Sequence, residues 1–192
     1  MRIIPRLSGA ALAVALSAVL MLTACVPTTT PAGPTPKTST TPVFANETEA
    51  LAAATKAYAA YVKVSDEILA DGGRNPERIK DVAKGEALRG ALSGYQEFRT
   101  KELRSVGLSK IDHLAIQRFS GSSANGKDLV SIYACLDVSS VEVLDKSGAS
   151  VVSPQRPARQ PFQVSEDWDK VRRLLVVSSR EPWADGGICE QD

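Results

Sequence analysis

Leu129-Val130-Ser131-Ile132-Tyr133-Ala134-Cys135-Leu136-Asp137-Val138-Ser139 is the stretch that decides how this chain folds. Its even positions, Val130, Ile132, Ala134, Leu136 and Val138, are all apolar, and its odd positions are mixed. Successive strand residues point to opposite faces. The pattern therefore predicts a strand with one face on a core and the other outside it, as in an antiparallel sheet. Upstream, Ile111 to Phe119 reads as a partner strand with Leu114 and Ile116 facing inward. The turn region Gly121 to Gly126 joins the two, and Asn125-Gly126 within it is a strong hairpin signal. Downstream, Val141 to Leu144 continues as strand and Lys146-Ser147-Gly148 turns the chain. Residues 153–161, with three prolines, cross irregularly. Phe162 to Val164 and Arg172 to Glu181 predict a last hairpin, turned around Glu166-Asp167-Trp168-Asp169.

Before Gly107 the period is helical. Asn46 with Glu49 has the form of a capping box. The run Glu47 to Ala70 then places Leu51, Ala54, Tyr58, Tyr61, Val62, Ser65, Ile68 and Leu69 on one face. Gly72-Gly73 ends it, and Asn75-Pro76 starts a short second helix over Glu77 to Lys84. A third helix is expected from Glu86 to Ser105, burying Leu88, Ala91, Leu92, Tyr95, Phe98 and Leu103. Gly90 and Gly94 inside it cost about 1 kcal/mol each against alanine, which predicts close packing by a neighbour. Three N-terminal helices followed by an antiparallel sheet of four to six strands is an α+β layout.

The first 45 residues follow other rules. Arg2 and Arg6 precede an apolar stretch from Ala10 to Leu22, interrupted only by the small polar Ser17. Thirteen residues are too few for the roughly 20 that span a hydrocarbon core, and suit the apolar region of an export signal. The stretch ends in Leu22-Thr23-Ala24-Cys25, which resembles the bacterial lipoprotein signal, or lipobox. That resemblance implies a signal peptide over residues 1–24, cleavage before Cys25 and lipid on that cysteine. The competing reading is a plain secretory signal with a chance cysteine. Residues 25–45 are the lipidated cysteine and a linker; the segment 26–43 holds five prolines and seven threonines. Such a segment is extended, at roughly 3.1 Å per residue, and its threonines permit O-glycosylation.

The exported chain would carry 21 basic and 22 acidic residues, a net charge of about −1. No basic stripe marks a nucleic-acid binder. One domain, residues 46–192, is long enough to bury a core. Three cysteines leave one odd thiol in an exported protein. With lipid on Cys25, Cys135 and Cys189 remain as a pair, expected as a disulfide, with two buried thiols as the alternative.

These features together resemble the actinobacterial lipoproteins that carry a nuclear transport factor 2-like domain. The residues behind the resemblance are the lipobox, the Pro/Thr linker, Tyr133-Ala134-Cys135-Leu136-Asp137-Val138, Asp145-Lys146-Ser147-Gly148, Arg159-Gln160-Pro161-Phe162 and the late Cys189. The resemblance implies a curved sheet wrapped around a pocket and closed by the helices. It implies no single activity, because that fold hosts isomerases, cyclases, dehydratases, binders and interaction modules.

His113 is the sole histidine, and strand parity turns it away from Leu114 and Ile116, against a catalytic role. One histidine and two paired cysteines do not build a zinc site, and neither calcium-loop nor phosphate-loop spacing occurs. No metal or cofactor is expected. Catalytic members of the fold family use a pocket acid with a tyrosine or protonated-acid donor. Here that role would fall to Asp112 with Tyr58 or Tyr95. The pocket itself would be lined by Tyr58, Tyr61, Tyr95, Leu114 and Ile116, unless the tyrosines simply fill the core. On the outer sheet face, Tyr133, Cys135 and Phe119 form a patch covered either by the Cys189 tail or by a protein partner, including a second copy of the chain.

Three functions follow as expectations. The first is a non-catalytic lipoprotein, anchored on the outer side of the cell membrane, that binds a small apolar ligand or an envelope protein. The second is an isomerase, cyclase or dehydratase; the third is a structural accessory of an envelope complex. Mass spectrometry of the protein extracted from its own membrane should find acyl chains on Cys25; an unmodified N-terminus would contradict the anchor.

Overall fold

A computed structural model describes residues 42–121, 125–184 and 187–190. The signal, the lipobox, Cys25 and the linker up to residue 41 lie outside the described residues. The described elements are helices α1 (Glu47–Ala70) and α2 (Gly85–Thr100), strands β1 (Arg104–Val106), β2 (Lys110–Phe119), β3 (Val130–Asp137), β4 (Glu142–Leu144), β5 (Arg159–Asp169) and β6 (Leu174–Pro182), and short 3₁₀ turns at Pro76–Asp81 and Gly187–Cys189. Four strands form an antiparallel sheet in the order β2-β3-β5-β6, and β1 pairs with β4 as a separate two-stranded sheet. The architecture is α+β.

β3 is the centre of the core. Val130, Ile132, Ala134 and Leu136 are buried beneath α1, which contributes Ala50, Ala54, Tyr58, Tyr61, Val62 and Ile68. Burying the valine, leucine and isoleucine side chains among these stabilises by about 1.5–3 kcal/mol each. α1 starts where its cap dictates: Asn46 Oδ1 accepts the Glu49 N–H at 2.9 Å, and Glu49 Oε2 accepts the Ala45 N–H at 2.8 Å. The folded unit reaches back to Val43 and Phe44, which composition alone assigns to the linker. Val43 N–H donates to the Gly121 carbonyl, and Phe44 meets Trp168 edge-on at 5.6 Å. At the other end Gly73 adopts φ +74°, and a Cβ there would lie 2.2 Å from the Tyr95 carbonyl oxygen. Only glycine lets α1 finish so close to α2.

Four sequence expectations change. The second helix is present as a 3₁₀ helix ending at Asp81, with Asn75 in the left-handed region and making no side-chain cap. The third helix stops at Thr100, because residues 104–106 hydrogen-bond with β4 instead. β2 carries register shifts that leave Asp112 and Gln117 outside the pairing. Each slip reverses the facing of later residues, so the inward set is Ile111, Leu114, Ile116 and Phe119. Phe119 thus joins the core beside Phe44, at 6.4 Å, and leaves the outer patch. Finally, Glu166 to Asp169 are strand, and the turn falls at 170–173, where Asp169 Oδ1 accepts the N–H groups of Val171 and Arg172.

On the outer face, Cys135 is joined to Cys189, 54 positions away. The tail lies across this face: Ile188 is buried, and Trp183 stacks on Tyr133 with ring centroids 4.0 Å apart. Replacing both cysteines by alanine should lower unfolding stability by about 4 kcal/mol in the chain-entropy picture. Urea denaturation reads this, and an unchanged midpoint would contradict it.

Candidate functional site

The helices do not seal against the sheet along their whole length. A hollow of about 440 Å³ lies between α1, α2 and β6, and a second of about 200 Å³ adjoins it toward β3 and β4. Tyr61, Ser65, Leu69, Phe98 and Arg180 line both. α2 borders the larger hollow with Ala87, Gly90, Ala91 and Gly94. A Cβ added at Gly90 or Gly94 would meet nothing within 4 Å. The two glycines therefore leave space, where their cost in a helix suggested a tightly packed neighbour.

Arg180 is the charged group at the centre. It pairs with Val164 in the β5–β6 ladder, on the face that Ile132 and Val164 share under the helices. Its guanidinium carbon stands 3.4 Å from the centroid of the Phe162 ring, and its Nε–H donates to Tyr58 Oη at 3.1 Å. The aromatic face contributes roughly 0.5–2 kcal/mol toward holding the cation. Among the described residues no carboxylate lies within ion-pair distance of Arg180, and its two terminal nitrogens meet no protein acceptor.

The acids near the hollows are otherwise engaged. Glu86 and Glu97 sit exposed at the rim and pair with Arg89 and Lys101 at 3.4 and 2.6 Å. Asp66 accepts the Ser109 N–H and hydroxyl at 2.8 and 2.9 Å. Tyr58 and Tyr61 stack in near-parallel rings at 6.2 Å. Burial pushes the Tyr95 hydroxyl up to about 12, against the lowering influence of the neighbouring Ser65 hydroxyl. Burial also raises Tyr61, partly offset by the Arg180 charge. Both phenols are thus neutral donors at physiological pH.

Tyr61 and Tyr95 line the site as the sequence suggests, and Tyr58 lies fully buried beneath it, bonded to Arg180. Leu114 and Ile116 pack against the core and line neither hollow. Asp112 is not a pocket acid: as a bulge residue it is exposed, ion-paired with Arg159 and 3.8 Å from His113 Nδ1. His113 shares the outer face with Cys135. The acid on the inner face is Glu166, opposite Val130 and Val177, fully buried, with neither carboxylate oxygen hydrogen-bonded. It lines neither hollow. The sequence signal for it is the in-phase alternation Phe162, Val164, Glu166, Trp168, hidden by the turn-like composition of Glu166-Asp167.

No family model matches the chain, and no curated protein matches it. Among solved structures, it is similar to the intermembrane space region of the chloroplast protein ARC6, at 13% identity and a TM-score of 0.51, covering 70% of this chain and 96% of that one. It is also similar to Aln2 from a Streptomyces species, at 15% identity and a TM-score of 0.43, covering 76% and 97%. The likeness to the ARC6 region is one of fold.

Burial holds the Glu166 carboxyl well above the ordinary glutamate range, so the folded protein keeps a proton that the unfolded chain releases. The stability this conserves is complete below the unfolded-chain value and lost as pH rises through the folded one. Glu166→Gln should therefore gain stability relative to wild type as pH rises from 4 to 8, measured by thermal melts. A difference that stays constant with pH would contradict this.

Proposed function

We propose that this is a lipoprotein held on the outer side of the cell membrane by lipid on Cys25, whose domain takes a small, largely apolar molecule between α1, α2 and the sheet. The observation that carries this reading is the hollow itself, bordered on α2 by Gly90 and Gly94, where an added Cβ would meet nothing within 4 Å. Its volume of about 440 Å³ falls in the range of roughly 300–1,000 Å³ typical of small-molecule sites. Leu69, Phe98 and Leu103 provide the apolar part of the wall, and the neutral hydroxyl of Tyr61 provides a polar handle, while the Tyr95 hydroxyl is sealed beneath the surface without a partner.

We also read the fold as a nuclear transport factor 2-like cone, supported by the helices-first order and by a pocket lying between the helices and one sheet face. The role is read as binding rather than catalysis. Asp112 stands outside the hollows and Glu166 is sealed beneath the sheet's cover, so neither reaches a bound molecule.

Native mass spectrometry of the protein gently extracted from its own envelope should show an added small-molecule mass. Gly90→Leu/Gly94→Leu, which fills the hollow, should abolish that mass while leaving the melting temperature within a few degrees. A clean protein mass in the unaltered chain would overturn the ligand reading and favour a protein contact.

A further inference from the structure

We infer that the molecule taken up is a small organic carboxylate with an apolar body, its carboxylate held by Arg180. This rests on the ligand-binding reading above and specifies its chemistry. An arginine is charged at every physiological pH, and a buried charge is normally paired. Arg180 is half-buried between the helices and the sheet, yet its protein partners are neutral: the Phe162 ring and the Tyr58 hydroxyl. Both fix its position. The stack sets the plane of the guanidinium, and the Nε bond sets its rotation. Arg180 lines both hollows, and its two terminal nitrogens are left as a fork that meets no protein acceptor among the described residues. A planar fork of this kind matches a carboxylate bidentately.

The surroundings select the charge and the body of the ligand. One guanidinium balances one negative charge. Glu86 and Glu97 at the rim, and Asp66 in the smaller hollow, disfavour a dianion such as a phosphate monoester. From the fork, the larger hollow runs along Ala87, Gly90, Ala91 and Gly94, which offer no side-chain hydrogen bonds and suit a hydrocarbon or aromatic portion.

Calorimetric titration of the full-length protein in lipid nanodiscs tests this with two probes of equal shape, octanoate and octanamide, corrected for partition into empty discs. Octanoate should bind about 10- to 100-fold more tightly, the discrimination expected of a charged hydrogen-bonded pair. Arg180→Met, which keeps the apolar stem, should bring the two probes to within about threefold. Arg180→Lys, which keeps charge but loses the fork, should fall between. Equal binding of both probes to the unaltered protein would overturn the carboxylate inference and leave the ligand-binding reading standing. Binding of neither would overturn the ligand reading itself. A preference for octanoate that survives in Arg180→Met would place the anion elsewhere and overturn the role of Arg180. Because the first comparison uses no variant, misfolding of Arg180→Met would not shelter the inference.

Discussion

The rest of the structure depends on the need to cover the inner face of β3. Val130, Ile132, Ala134 and Leu136 stand in a row on a strand flanked on both sides by hydrogen-bonded neighbours, so another element must pack over their face to shield them from water. α1 does so with an apolar stripe fixed by its Asn46 cap at one end and by Gly72-Gly73 at the other. α2 then has one place to go, over β6, tied there by the close pass of Gly73 against the Tyr95 backbone. What α1 and α2 fail to fill between them is the hollow, so the site is a direct consequence of how the core is roofed.

Inside that roof two ionisable groups lie on the same sheet face and meet opposite solutions. Glu166 has no partner and no access, and burial pushes its carboxyl well above the ordinary glutamate range. Arg180 has no route to neutrality, and is instead stabilised by a ring face, a phenol and an opening. A buried acid sheds its charge by taking a proton; a guanidinium does not. That difference is why the arginine, and not the acid, marks the site. The disulfide works on the other face, holding the tail and Trp183 over Tyr133 so that the outer aromatic surface is covered.

Much of this is legible in the chain. α1 runs over the residues its periodicity indicates, and β3 turns Val130, Ile132, Ala134 and Leu136 to the core as written, although Ser131 and Cys135 on its other face are buried as well. β2 is legible as a strand but not in its facing, since two register shifts move Asp112 outward and Phe119 inward. Single-residue bulges leave no composition signal. β5 reads too short because Glu166-Asp167 looks like a turn, whereas Asp167 is buried and ion-paired with Lys84 at 3.0 Å. Gly90 and Gly94 stand out as costly, but a glycine facing open space and one under a close neighbour read alike in sequence. Arg180 is invisible as a site residue, because the register change between Ser165 and Glu166 helps decide which face the last strand presents.

The central claim is that Arg180, lining both hollows, waits for an anion in an open hollow of mixed polar and apolar lining. A crystal structure of the protein purified from its native envelope tests this most directly. The account predicts elongated density along Gly90 and Gly94, ending in a planar group against the Arg180 fork. A hollow closed by α2 settling onto β6, with Arg180 paired to Glu86 or Glu97, would contradict it.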